Sequence, residues 1–333
     1  MTVINESVRG RPAPPLRPFV EWYAGFRQAG VAPARHRGLP SPALTFILTL
    51  DDPLIVAAHS DPRQPPEQYT TLLGGLHTAH ALITHEGRQS GIQLALTPLG
   101  ARALLGMPAG QLANVDVDAS EVLGRFAGEL RERIGEQETW AGRFSVLDAL
   151  LGIPAGQLAN LDVDASAVLG RFAGELRERI GEQGTWAGRF SVLDTLLSER
   201  VRAADGAAWV RPEVRYAWRR LRAVSGAVRV SALAAETGWS ERYLNARFRA
   251  ETGLSPKEAA RVFRFTAARG RVAEAAVSPR EAGLSLADLA AECGYYDQSH
   301  LAREFRALAG CPPTQWLAEE FRNIQASVAG PRE

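Results

Sequence analysis

Leu233-Ala-Ala-Glu-Thr-Gly238-Trp-Ser-Glu-Arg-Tyr-Leu244-Asn-Ala-Arg-Phe248-Arg is a pattern written twice in this chain. It returns as Leu289-Ala-Ala-Glu-Cys-Gly294-Tyr-Tyr-Asp-Gln-Ser-His-Leu301-Ala-Arg-Glu-Phe305-Arg. Each writing predicts a short helix, a turn at Gly238 or Gly294, and a second amphipathic helix. Glycine permits the tight turn, and the alanine pairs (Ala234, Ala235; Ala290, Ala291) permit close helix approach. Leu244 and Phe248, like Leu301 and Phe305, lie four apart and therefore share one buried face. Ser231 and Ser285 stand where N-caps of the leading helices are expected.

Two helix-turn-helix units in tandem are far more specific than one. Over roughly residues 212–320 the pattern resembles the AraC/XylS family of transcription regulators. The likeness extends to one extra residue between glycine and leucine in the second unit, to Arg264 and Ala268 on the joining helix, and to Cys311-Pro-Pro-Thr-Gln-Trp316. Ala259 departs from it, since such proteins usually carry an aromatic there. The resemblance implies an all-α DNA-binding domain whose recognition helices put their first turns into the major groove. The base-reading positions are then Arg242, Asn245 and Ala246 in the first unit, with Gln298, Ser299, Ala302 and Arg303 in the second. Arginine can bond two guanine acceptors, and Asn245 or Gln298 can pair with adenine. Arg247, Arg249, Lys257, His300 and Arg306 are assigned to phosphates, which position without specifying.

Charge agrees with that assignment through its distribution. The net charge of the 333-residue chain is only +1. Between Arg211 and Arg271, however, 14 basic residues face 5 acidic ones, the footprint of a phosphate-binding surface. The two cysteines, Cys293 and Cys311, are too few for a disulfide framework or a zinc site. No apolar run reaches membrane-spanning length and no signal pattern opens the chain, so the expected location is cytoplasmic.

The N-terminal part, residues 1–102, predicts an α+β domain. Residues 1–18 are proline-rich and are expected to be an irregular arm. Phe19, Trp22, Tyr23 and Phe26 carry a helical rhythm through residues 16–28, and three prolines make Gly30 to Pro42 a loop. Residues 43–50, 54–58, 79–85 and 91–96 then read as strands of a small antiparallel sheet or cupin-like barrel. Five of the six histidines fall here: His36, His59, His77, His80 and His85. They are expected to line a pocket or the surface. No glutamate matches a metal set, and alternation along a strand separates His77 from His80.

A duplication occupies the middle of the chain. Ala103 to Asp148 recurs as Ala149 to Asp194 with four differences: Met107/Ile153, Val115/Leu161, Glu121/Ala167 and Glu138/Gly184. Each copy predicts two helices, the first capped by Asp118 (or Asp164) and running Ala119–Gly135, the second opened by Thr139 (or Thr185). Glu129 and Arg133 supply an i,i+4 ion pair. The region 103–197 is a candidate dimerisation element, although one copy alone can serve a family that dimerises through helices here. Residues 198–211 read as a linker and residues 321–333 as a tail.

The expected function is sequence-specific transcription regulation by binding to double-stranded operator DNA. The resemblance adds RNA polymerase as a partner, a small-molecule effector for the N-terminal domain, and a homodimer. No catalytic residue, cofactor or membrane is called for. A nonspecific architectural DNA binder would not need distinct polar readers in both units. A DNA-tethered cupin-like enzyme would want a nucleophilic cysteine or a carboxylate-histidine set in the N-terminal half, which has no cysteine.

Overall fold

The computed structural model describes residues 3–105, 107–151, 210–277 and 285–319. The second repeat copy beyond residue 151, most of the linker and the tail lie outside the described residues. Ten antiparallel strands form two sheets: β1 (Ile4–Gly10), β2 (Val20–Ala29), β3 (Ala34–Gly38), β4 (Leu44–Thr49), β5 (Leu54–Ala58), β6 (Glu67–Tyr69), β7 (Thr71–Gly74), β8 (Ala81–His85), β9 (Arg88–Leu96) and β10 (Asp116–Asp118). The larger sheet has the order β1-β2-β9-β4-β7-β10, the smaller β3-β8-β5-β6. Neither order returns to its first strand, so among the described residues the barrel alternative gives way to two open sheets. Alternation decides which face each side chain takes. Leu44, Phe46 and Leu48 of β4 enter the main core, while Ile47 turns to a smaller core with Leu54, Val56 and Tyr69 of the second sheet.

Three expectations for the N-terminus are corrected. Residues 20–29 are strand, not helix, and β2 is paired with β9 over nearly its whole length. A register shift between Val20 and Trp22 breaks the two-residue alternation, so Val20 and Tyr23 both point inward and mimic helical spacing. Residues 4–10 are not an arm but the edge strand β1, paired with β2 from Ile4↔Ala29 to Gly10↔Tyr23. The prolines begin only after that strand has ended. Within Gly30 to Pro42, residues 34–38 form β3 against β8.

The first repeat copy completes this domain. Residues 101–105 form α1 (Ala101–Leu105), a 3-10 turn follows at Ala109–Leu112, and β10 then adds to the free edge of β7. Two helices were expected of the copy, and the first is split at Gly124 into α2 (Ala119–Leu123) and α3 (Arg125–Gly135). Asp118 caps α2 by accepting from the Ser120 amide, and the Glu129–Arg133 pair closes at 2.6 Å. In α4 (Trp140–Leu151), Trp140 lies over Gly25, where any side chain would collide with its ring. Phe144 stacks on Tyr23 at 5.8 Å, and the fully buried Tyr23 donates its hydroxyl proton to Asp148 at 2.7 Å. Burial raises the pKa of both groups.

All of these dockings come from residues 103–151. Deleting residues 149–194 places Thr195-Leu-Leu-Ser after Asp148, in place of Ala149-Leu-Leu-Gly. The expected result is a folded protein with its midpoint unfolding temperature unchanged within about 2 °C. A large drop in a thermal melt would show that the second copy bears on the N-terminal fold.

The C-terminal domain is helical: α5 (Pro212–Ala223), α6 (Val230–Thr237), α7 (Glu241–Thr252), α8 (Pro256–Val277), α9 (Leu286–Glu292) and α10 (Gln298–Ala309), with residues 313–319 also helical. Trp218 and Leu221 of α5 are buried, and α8 links the two units. The first unit shares a continuous core with the N-terminal sheets, whereas the second is built on a separate one around Phe265, Phe305 and Trp316.

Candidate nucleic-acid interface

Both units turn as the sequence requires. Gly238 and Gly294 sit at φ 71° and 72°, the left-handed region that side-chain-bearing residues avoid. Behind each turn the second helix of the unit buries its leucine and phenylalanine. Phe248 packs on Trp218 at 5.8 Å, and Phe305 packs on Phe265 at 5.0 Å. Only one alanine of each pair is buried, Ala234 and Ala290, while Ala235 and Ala291 are exposed. Ser285 caps α9 in a reciprocal box with Asp288. Ser231 does not cap α6, which begins one residue earlier behind Arg229, so that serine lies already inside the first turn.

The second helices of the two units, α7 and α10, are capped alike. Ser240 accepts from the Tyr243 amide and Asp297 from the His300 amide, three residues on in each case. Arg242, Asn245 and Ala246 are exposed on α7; Gln298, Ser299 and Arg303 are exposed on α10, and Ala302 is half-buried. Counting from the caps, Arg242 corresponds to Ser299 and Arg303 to Ala246. The two units therefore offer their arginines one helical turn apart.

The residues assigned to phosphates have varied surroundings. Arg247 lies over the Tyr243 ring at 5.1 Å. Arg249 makes two bonds to Glu258, at 2.9 and 2.7 Å, and Glu258 also accepts from the Ser255 amide at the start of α8. Lys257 and Arg306 are exposed. His300 accepts from the Tyr296 amide through Nδ1 at 3.3 Å, which leaves Nε2 as the proton-bearing nitrogen in the neutral ring. Arg261 holds Glu304 through two bonds of 2.9 and 3.0 Å, fixing α10 on the joining helix.

The N-terminal domain touches both units, a relation invisible in the sequence. Arg102 bonds Glu251 at the end of α7 at 2.7 and 2.9 Å, and Gly110 of the 3-10 turn lies against the Ala250 carbonyl. At the second unit Arg37 bonds Glu319 at 2.9 and 3.3 Å, and His80 lies against Gly310. Glu21 of β2 meets Arg222 of α5 at 3.0 Å.

The histidines divide. His59, with no exposed side-chain surface, bonds Asp116 at 2.7 Å and helps hold β10 on the sheet edge. His77 and His80 precede β8, so strand alternation does not apply to them. The Nε2 atom of His77 is buried with no hydrogen-bond partner. Among the described residues no three His, Cys, Asp or Glu side chains gather as a metal-holding group.

Desolvation lowers the pKa of His36 (to about 4, with His85 adding repulsion), His77, His80 and His85. Arg37 and His77 also oppose the charging of His80, while Glu319 favours it. These histidines therefore take up more protons in the unfolded chain than in the folded one below the ordinary histidine pKa of about 6.5. Their contribution to stability is fully present above that value and is lost between about pH 6.5 and 4. Thermal melts across this range should lose about 2–4 °C per kcal/mol forfeited. A flat midpoint would show that these histidines charge without cost.

Residues 233–319 match a family model described as a helix-turn-helix domain, and residues 8–118 match one described as a domain of unknown function (DUF6597). No curated protein matches the chain. Among solved structures, ToxT from Vibrio cholerae is similar over 96% of this chain and 99% of its own, at 7% identity and a TM-score of 0.41. ToxT from Vibrio cholerae O395 is similar over 89% of this chain and 96% of its own, at 9% identity and a TM-score of 0.40. The unsaturated fatty acid bound wild-type ToxT from strain SCE256 is similar over 95% of each chain, at 8% identity and a TM-score of 0.38.

Proposed function

We propose that this chain, whose residues 233–319 match a helix-turn-helix domain, is an AraC-type DNA-binding regulator that reads a two-part operator under control of its N-terminal domain. The observation that carries this reading is the pair of helices, each capped by a side chain that accepts from the amide three residues on and each presenting an exposed face, joined by the one continuous helix α8. Arg242, Asn245 and Ala246 read one half-site; Gln298, Ser299, Ala302 and Arg303 read the other. The protein acts by binding, not by catalysis. It works in the cytoplasm on double-stranded DNA, with RNA polymerase as the partner whose access it governs.

The contacts of Arg102 with Glu251 and of Arg37 with Glu319 support a coupling of the N-terminal domain to both readers. A small-molecule effector acts through them by favouring one arrangement over another. The buried, unpartnered Nε2 of His77 is a polar atom such a molecule could satisfy. The repeat region supplies a surface for a homodimer.

Selection of bound sites from random DNA at fixed, near-physiological salt tests the central reading. It should enrich one motif with two halves about a helical turn apart. Binding that enriches nothing and vanishes as salt rises would replace it with simple attraction to the backbone. Arg249→Ala should weaken all sequences alike and flatten the salt slope by about one unit. An unchanged slope would leave Arg249 as the partner of Glu258 alone.

A further inference from the structure

The caps and rings of the two reading helices identify the extra residue of the second unit. Trp239 meets Tyr243 edge-on at 4.8 Å, and Tyr295 meets His300 edge-on at 5.2 Å. Tyr243 and His300 both stand three residues beyond their caps, so Tyr295 occupies the place of Trp239. Trp239 is followed directly by the cap Ser240, whereas Tyr296 intervenes between Tyr295 and Asp297. The extra residue lies in a bend at Tyr296 and Asp297, and the cap angles differ, with φ −69° at Ser240 and −155° at Asp297.

The consequence is a tyrosine outside the hydrophobic core. Tyr296 is 93% exposed, the most exposed large hydrophobic side chain among the described residues. It stands immediately before the cap of α10, beside the exposed Gln298 and Ser299. Its amide is bonded to His300 Nδ1, so its backbone is fixed to the first turn of the reading helix. We propose that Tyr296 is a further specificity residue of the second unit, its ring packing on the methyl group of a thymine in that half-site.

This rests on the reading of the C-terminal domain as a DNA reader. When the first turn of α10 enters the major groove, the residue ahead of its cap is carried toward the base edges with Gln298 and Ser299. The thymine methyl is the apolar feature of those edges. A phenol ring has few rotatable bonds and covers a methyl at small conformational cost. The hydroxyl could instead bond a phosphate, which would hold the helix without discriminating sequence.

The test uses the full chain, Tyr296→Ala and Tyr296→Phe. The probes are duplexes recovered by selection, in which each thymine of the second half-site is replaced singly by deoxyuridine to remove its methyl. The wild type should lose about fourfold in affinity at one thymine, the equivalent of one uncovered methyl group. Tyr296→Phe should keep that loss, and Tyr296→Ala should no longer feel the exchange. The proposal is overturned if Tyr296→Ala keeps the wild-type deoxyuridine profile. It is equally overturned if both variants weaken every duplex alike, since that is the signature of a phosphate contact. A wild-type chain that selects no motif would bring down the DNA-reading function itself, a distinguishable result. Thermal melts of the two variants should match the wild type, because the side chain buries almost nothing.

Discussion

Replacing Phe305 by alanine should destabilise the second helix-turn-helix unit by about 3–5 kcal/mol, the usual cost of emptying a core position of this size. Phe305 is fully buried and packs on Phe265 at 5.0 Å and on Trp316 at 6.1 Å. The core around it is small and separate from the one that joins the first unit to the N-terminal sheets. Calorimetry of Phe305→Ala should therefore show a new transition at lower temperature while the main one stays in place. Phe248→Ala removes the equivalent side chain from the larger core and should shift the main transition instead. If both variants moved a single common transition equally, the two cores would be one cooperative unit. The same comparison has a functional arm, since Phe305→Ala should lose the second half-site and keep the first.

Arg303→Ala should cost roughly 1–3 kcal/mol at one base position, about 5- to 150-fold in affinity for the preferred base. The guanidinium can donate two bonds to a guanine edge, and Arg303 is exposed six residues beyond the cap of α10. Its counterpart in the first unit is Ala246, so no second arginine at that offset can compensate. The readout is binding to duplexes carrying each of the four bases at every position of the second half-site. Discrimination should collapse at one position and survive elsewhere. Unchanged base preference would remove Arg303 from the reading set.

The reader was legible in the sequence because its determinants are local. A glycine at the turn, a leucine and a phenylalanine four apart and a capping residue lie within one short stretch, and each has a single geometric meaning. Ser285 was identified as a cap on that basis, but the same reasoning misplaced Ser231, because a helix can begin behind Arg229 without a side-chain cap. In the N-terminal half the determinants are nonlocal. The bulge beside Val20 gives a strand the spacing of a helix, and only pairing with β9 reveals it. β1 is too polar to announce itself and is ordered by β2. Arg37 and Glu319 stand 282 positions apart, beyond the reach of any periodicity. The extra residue of the second unit could be counted from sequence, but its exposure could not.

The brace formed by Arg102–Glu251 and Arg37–Glu319 sets a phase as well as a distance. DNA turns by about 34° for each base pair, so two readers address successive half-sites only if their relative twist is held well within that angle. The connecting helix α8 by itself can bend and roll. The N-terminal domain holds the end of α7 through Arg102 on α1 and the helix after α10 through Arg37 on β3, and so opposes such movement at both units. On the proposed reading, spacing between half-sites is then a quantity the N-terminal domain tunes, and operators differing by a single inserted base pair should report its setting.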